Sequence, residues 1–72
     1  MSFGTNLRYF RIRKDYTLQQ LAELLDVSAN YLSTLENGNG KIKPDFLPRL
    51  CNVLQVTMDS LYEENDERKL YK

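Results

Sequence analysis

The sequence contains no histidine. That absence removes the commonest general base, the Ser–His and Cys–His nucleophile pairs, and the usual zinc sites. A single cysteine, Cys51, leaves no intrachain disulfide and no cysteine-based cluster. A free thiol without disulfides suits a reducing cytosol, and unpaired cysteine is among the most buried residue types, so Cys51 is expected in the core. Three glycines and two prolines in 72 residues are too few for a disordered, low-complexity chain. Neither sign of charge is in excess, ten Lys+Arg facing ten Asp+Glu. No apolar run approaches the roughly 18 residues of a membrane span. Met1-Ser2-Phe3-Gly4 is not a basic region followed by an apolar stretch, so no signal peptide is expected.

What is present is 42% hydrophobic residues, enough for one small soluble domain. Domains of roughly 55–65 residues often fold without metal or disulfide. A two-lobed enzyme with a cofactor cleft is excluded by length, and no metal, cofactor or small-molecule motif is evident. The charge is unevenly spread. Residues 1–43 hold six bases and four acids, residues 44–72 four bases and six acids. Four positive charges fall between Arg8 and Lys14, and five negative ones between Asp59 and Glu67. One end of the molecule is therefore able to face an anion while the whole stays neutral.

No segment alternates apolar and polar residues for long, and the apolar spacing is helical throughout. Phe3, Leu7 and Phe10 form one stripe. Leu18, Leu21, Ala22 and Leu25 form a second, and Leu32 and Leu35 a third. Phe46, Leu47, Leu50, Cys51 and Leu54 form a fourth, and Met58, Leu61 and Tyr62 a short fifth. Thr17 is a good N-cap, with Gln20 completing a capping box; Ser28 and Thr57 are further caps. Asn37-Gly38 is a helix stop. Pro44-Asp45 opens the fourth helix, with Pro48 tolerated in its first turn. These signals predict an all-α fold with helices near 3–14, 18–25, 29–36, 46–54 and 58–63. They give a domain over 1–63 and a polar tail over 64–72, in which Leu70 and Tyr71 are able to dock.

Only Asp26, Val27 and Ser28 separate the second and third helices. So short a turn forces a steep crossing, the helix-turn-helix arrangement, with Val27 plugging the core and Asp26 left-handed. The alternative is one continuous coiled-coil helix, because Leu18, Leu25 and Leu32 fall seven apart. That alternative puts Ser28 on the seam and leaves Leu24 off it. With Leu32 and Leu35 inward, the third helix turns Ala29, Asn30, Ser33, Thr34 and Asn37 outward, none of them charged. Short neutral groups suit close approach to base edges: Asn pairs with adenine, Ala and the Thr methyl touch thymine, and hydroxyls donate or accept.

The ordered set Leu7-Arg8-x-x-Arg11, Thr17-x-x-x-Leu21-Ala22-x-x-x-x-Val27-Ser28, Leu32-Ser33-x-Leu35-Glu36-x-Gly38, Pro44, Leu47, Leu50, Leu54-x-Val56 and Leu61 resembles the lambda-repressor-like, Cro/XRE-type helix-turn-helix family. The run Leu35-Glu36-Asn37-Gly38, with the later segment from Pro44 to Leu50, is especially similar to small phage repressors. The resemblance implies a compact five-helix domain that binds double-stranded DNA as a homodimer and regulates transcription, as a repressor in particular. By position it implies base reading by Ala29, Asn30 and Thr34, with Ser33 on the same face. It implies phosphate contacts at Thr17, Leu18, Ser28, Asn37, Lys41 and Lys43, and a partly buried salt bridge between Arg11 and Glu36. Lys41 and Lys43 also fit plain loop lysines. Tyr31 fits either a phosphate contact or a cover over the helix seam. Arg8, Arg13 and Lys14 read as solvent or helix-end charges.

The chain departs from the family pattern in four places. Leu18 stands where Gln is common, Asp26 where the turn Gly is common, and Asp45 where a base would help; the 37–43 loop is one residue longer than in the phage repressors. With zero net charge, these departures lower the expected DNA affinity. A globule of this length has a radius of gyration of roughly 11 Å and cannot alone reach two major grooves about 34 Å apart. A two-fold dimer on a pseudo-palindromic operator follows, formed through Val56, Met58, Leu61 and Tyr62, of which Leu61 fits the core as well. A cytoplasmic regulator without cofactor is expected. The rival is a protein-interaction module of the same fold, antitoxin-like or regulator-binding, with little DNA affinity of its own. An enzyme is not expected.

Overall fold

The computed structural model describes residues 3–63. They form five helices, α1 (Phe3–Arg13), α2 (Leu18–Leu25), α3 (Ala29–Glu36), α4 (Phe46–Leu54) and α5 (Met58–Tyr62), with no strand among the described residues. α1 and α5 each end one residue before the expected boundary. The tail at 64–72, with Leu70 and Tyr71, lies outside the described residues.

Side chains set most of the helix starts. Thr17 Oγ1 accepts from the Gln20 amide at 3.0 Å, and Gln20 Oε1 accepts from the Thr17 amide at 2.9 Å, closing a reciprocal capping box. Ser28 Oγ accepts from the Tyr31 amide at 3.0 Å, and Thr57 Oγ1 from the Ser60 amide at 3.2 Å. α4 differs, since its N-cap Asp45 makes no side-chain capping bond.

The break at 26–28 rules out a continuous helix. Asp26 turns left-handed (φ 57°, ψ 44°), and Val27 N–H donates to Ala22 O at 3.0 Å. Val27 is half-buried against the core. Arg49 from α4 donates to Leu25 O at 3.2 Å, satisfying a carbonyl at the end of α2. Asp15 (φ 59°) and Gln55 (φ 58°) are also left-handed, which costs a non-glycine residue about 1–2 kcal/mol. At the end of α3 the left-handed position falls on Gly38 (φ 84°), while Asn37 keeps a negative φ.

Leu7, Leu21, Ala22, Leu25, Leu32, Leu35, Phe46, Leu50, Leu54 and Leu61 are buried as one cluster. α1 packs on α3 and α5, α2 on α3 and α4, and α4 on α5. Cys51 is not in this core. Phe46, Leu50 and Leu54 take the inward stripe of α4, which leaves Cys51 to one side and half-buried. Partial desolvation still pushes its thiol above the usual range.

Two features of α1 have no counterpart in the apolar pattern. Gly4 lies so close to α3 that a Cβ there would fall 2.6 Å from Glu36 O, so only glycine permits this approach. Asn6 is fully buried, and its amide donates to Leu61 O at 2.7 Å and Glu63 O at 2.9 Å. It fastens the C-terminal end of α5 to α1, where a hydrophobe would leave those carbonyls without this donor.

Candidate nucleic-acid interface

α3 has two unlike faces. Leu32, Leu35 and Glu36 point inward and are buried, while Asn30 and Asn37 are exposed. Ala29, Ser33 and Thr34 are half-buried, and Ala29 packs partly on the core. The Asn30 and Ser33 side chains have no hydrogen-bond partner among the described residues, which leaves an amide and a hydroxyl available to an external group. Thr34 is different. Its hydroxyl donates to Asn30 O at 2.9 Å, and its methyl faces Gly40, where a Cβ would sit 3.0 Å away.

The residues expected near phosphate fall into two groups. At the start of α2, Thr17 is exposed, but its hydroxyl is engaged with the Gln20 amide. The Leu18 side chain packs against the core, so this position offers a main-chain N–H. First-turn amides lack intrahelical partners and favour an anion. Ser28 likewise uses its hydroxyl as a cap for α3. The second group lies after α3, where Asn37, Lys41 and Lys43 are exposed. Lys41 O accepts the Tyr31 hydroxyl at 2.8 Å, and Lys43 Nζ lies 5.7 Å from the centroid of the Tyr31 ring.

Behind α3 sits a charged cluster. Glu36, with its side chain fully buried, accepts from Arg11 Nε at 2.6 Å and Nη2 at 3.2 Å, and from Arg8 Nε at 3.0 Å. Arg11 Nη1 also donates to Tyr16 O at 2.8 Å, next to the cap of α2. One guanidinium thus joins the end of α3 to the entry of α2. Arg8 is a partner in this cluster and not the free surface charge expected from the sequence. Its three-residue offset from Arg11 on α1 places both on one helix face and is the signal that would have revealed it.

The helix-turn-helix domain family matches residues 2–64, which takes in all of the described fold and both helices flanking the 26–28 turn. The chain belongs to this helix-turn-helix family. It is 36% identical over 66 residues to the HTH-type transcriptional regulator SinR of Bacillus licheniformis, covering 89% of this chain and 59% of that protein. It is 32% identical over 62 residues to the competence pilus inhibition repressor of Acinetobacter baylyi, covering 86% of this chain and 56% of the relative. It is 38% identical over 61 residues to the HTH-type transcriptional repressor RghR of Bacillus subtilis, covering 83% and 45%. The chain therefore spans about half the length of these relatives.

The helix-turn-helix domain separates its expected dimer residues. Met58 and Tyr62 are well exposed (47% and 53%) and Val56 is half-buried, but Leu61 is completely buried. Leu61 is a core residue, because α5 turns it into the buried cluster while Met58 and Tyr62 stay exposed. The Tyr62 ring meets the Phe3 ring at 5.3 Å. No group of three His, Cys, Asp or Glu side chains lies together among the described residues, and no described helix is long and apolar enough to cross a membrane.

Proposed function

We propose that this helix-turn-helix domain binds double-stranded DNA in a sequence-specific manner, with α3 in the major groove, and acts as a transcriptional repressor. The observation that carries this reading is the outer face of α3. Asn30 and Ser33 offer neutral groups, without a hydrogen-bond partner among the described residues, on the second helix of the motif, the chemistry that base edges match. The regulator and repressor names of the relatives support the same reading.

Within it, Asn30 and Ser33 read base edges, Ala29 makes apolar contact, and Thr34 contributes through its position more than its hydroxyl. The amides after Thr17 and Ser28, Leu18 N–H included, hold phosphates, as do Asn37, Lys41 and Lys43. Arg11 and Glu36 act from within, fixing α3 against α2.

A fold measuring 29 × 23 × 22 Å is too small to reach two grooves about 34 Å apart. This supports a homodimer on a pseudo-palindromic operator, joined through Val56, Met58 and Tyr62. The runs Leu35-Glu36-Asn37-Gly38 and Pro44 to Leu50 support a likeness to small phage repressors, and action on DNA fits a cytoplasmic location. The domain is residues 1–63, with 64–72 as an appended tail, and no cofactor enters the reading.

One observation favours a second reading. Leu24 is 54% exposed beside a 420 Å³ recess that Tyr16 also lines, a surface suited to a protein partner in a module with little DNA affinity. Selection of bound duplexes from a random pool at physiological salt separates the two. Recovery of a two-fold symmetric motif, with half-sites about one helical turn apart, supports the operator-binding dimer. Recovery of no motif from folded, helical protein supports the interaction module.

A further inference from the structure

Between α3 and α4 the chain folds back along α3. The Asn39 amide donates to Thr34 O at 3.0 Å, and Gly40 abuts the Thr34 methyl. Next, the Tyr31 hydroxyl donates to Lys41 O at 2.8 Å. Finally, Lys43 Nζ rests over the Tyr31 ring at 5.7 Å, while the same ring meets Phe46 edge-on, with centroids 5.4 Å apart and an interplanar angle of 82°. One half-buried side chain on α3 therefore touches the backbone of one loop lysine, the ammonium of another, and the first residue of α4.

We infer that Tyr31 is a positioning residue for phosphate contact, tying Lys41 and Lys43 to α3 so that helix and loop meet the duplex as one unit. The inference rests on the DNA reading above. Its physical basis is preorganisation. A lysine on a free loop loses backbone and side-chain freedom when it captures a phosphate, and a loop already held in place loses less. The hydroxyl bond fixes the main chain at Lys41. The ring face attracts the Lys43 ammonium, and an ammonium carries three donors, so one side is free for a phosphate while another lies on the ring. Because the Tyr31 proton is committed to Lys41 O, direct phosphate capture by this hydroxyl would cost that bond.

The test measures binding of the whole chain to a short random duplex and to the selected duplex across a salt series, for wild type, Tyr31→Phe, Tyr31→Leu, Lys43→Ala and the Tyr31→Leu/Lys43→Ala double variant. Tyr31→Leu is expected to lower the slope of log K against log salt by about 1 and to weaken both duplexes alike, by roughly tenfold. Tyr31→Phe keeps the ring and the slope and weakens both about threefold through one lost hydrogen bond. The double variant shows no further fall in slope beyond Tyr31→Leu.

A wild-type slope in folded Tyr31→Leu overturns the inference, because a purely structural tyrosine alters melting temperature and not the slope. A changed base preference in Tyr31→Leu also overturns it, by making Tyr31 a reader. Should Tyr31→Leu fail to fold, Tyr31→Phe decides, and unchanged affinity for both duplexes counts against the inference. An unchanged slope in Lys43→Ala removes the loop contact together with the inference. Failure of wild type to bind either duplex instead removes the DNA reading itself.

Discussion

The two faces of α3 carry polar groups of opposite kinds. On the inner face, Glu36 is a full charge with no exposed side-chain surface, and both of its oxygens are bonded by Arg8 and Arg11. On the outer face, Asn30 and Ser33 are neutral, and neither side chain has a partner among the described residues. A buried charge without partners is too costly to persist, so Glu36 is surrounded by donors. An exposed neutral group costs nothing while it waits in water, and it is ready to exchange that water for a base edge. The number of bonds a polar side chain makes within its own chain therefore helps to separate framework from reading surface.

Glu36→Ala should show the largest effect. It leaves two guanidinium groups without their carboxylate, and loss of one partner of a buried pair costs about 3–5 kcal/mol. In a domain of this size that corresponds to a fall in melting temperature on the order of 20–30 °C. Base preference should be unchanged in the fraction that remains folded. Wild-type melting combined with lost binding would move Glu36 to the reading surface and dissolve the contrast.

Gly4→Ala tests the same inner side. The new methyl must push α1 away from the Leu35 and Glu36 carbonyls, at a cost of about 1–3 kcal/mol. Chemical denaturation should show this loss without a change in base preference. A neutral substitution would mean that α1 shifts freely on α3.

On the outer face the pattern should reverse. Asn30→Ala is expected to lose about 1–3 kcal/mol of discrimination at one base pair, while its melting temperature stays close to wild type. Equal weakening on specific and random duplexes would argue against base reading. Ser33→Ala should be smaller still, about 0.5–1.5 kcal/mol for one hydroxyl, again in binding and not in melting. If binding by Ser33→Ala matches wild type on every duplex, the hydroxyl faces only water and the reading surface shrinks to Asn30 and its neighbours.

The helices were legible in the sequence because their signals are local. Thr17 and Gln20 are three residues apart, and the Asp26–Ser28 break needs nothing beyond its own neighbours. What escaped depends on contacts distant in the chain. Asn6 reads as a polar residue between apolar ones until the end of α5 arrives to accept its amide. Gly4 carries no signal until the α3 carbonyls are beside it. The assignment of Leu61 to a dimer surface failed because α5 has only five residues, too few for periodicity to separate an inward position from an outward one. Cys51 is half-buried against the core and not within it, since α4 offers more apolar positions than its inward stripe uses. For the candidate site, the outward exposure of Asn30 could be read from spacing. The partners that occupy the Thr34 hydroxyl and Tyr31 could not, because Tyr31 meets a loop whose path no short motif specifies.

Arg11 bears on whether this motif could be transplanted. Its guanidinium reaches both Glu36 at the close of α3 and the Tyr16 carbonyl at the approach to α2, so the angle between the two motif helices is braced from outside the motif. Cut out as residues 17–37 and grafted onto a foreign scaffold, the pair would arrive with a carboxylate seeking two cations and no strut across its open end. Only a host that already offers an arginine at the corresponding place could accept the insert, which makes the first three helices the smallest exchangeable part.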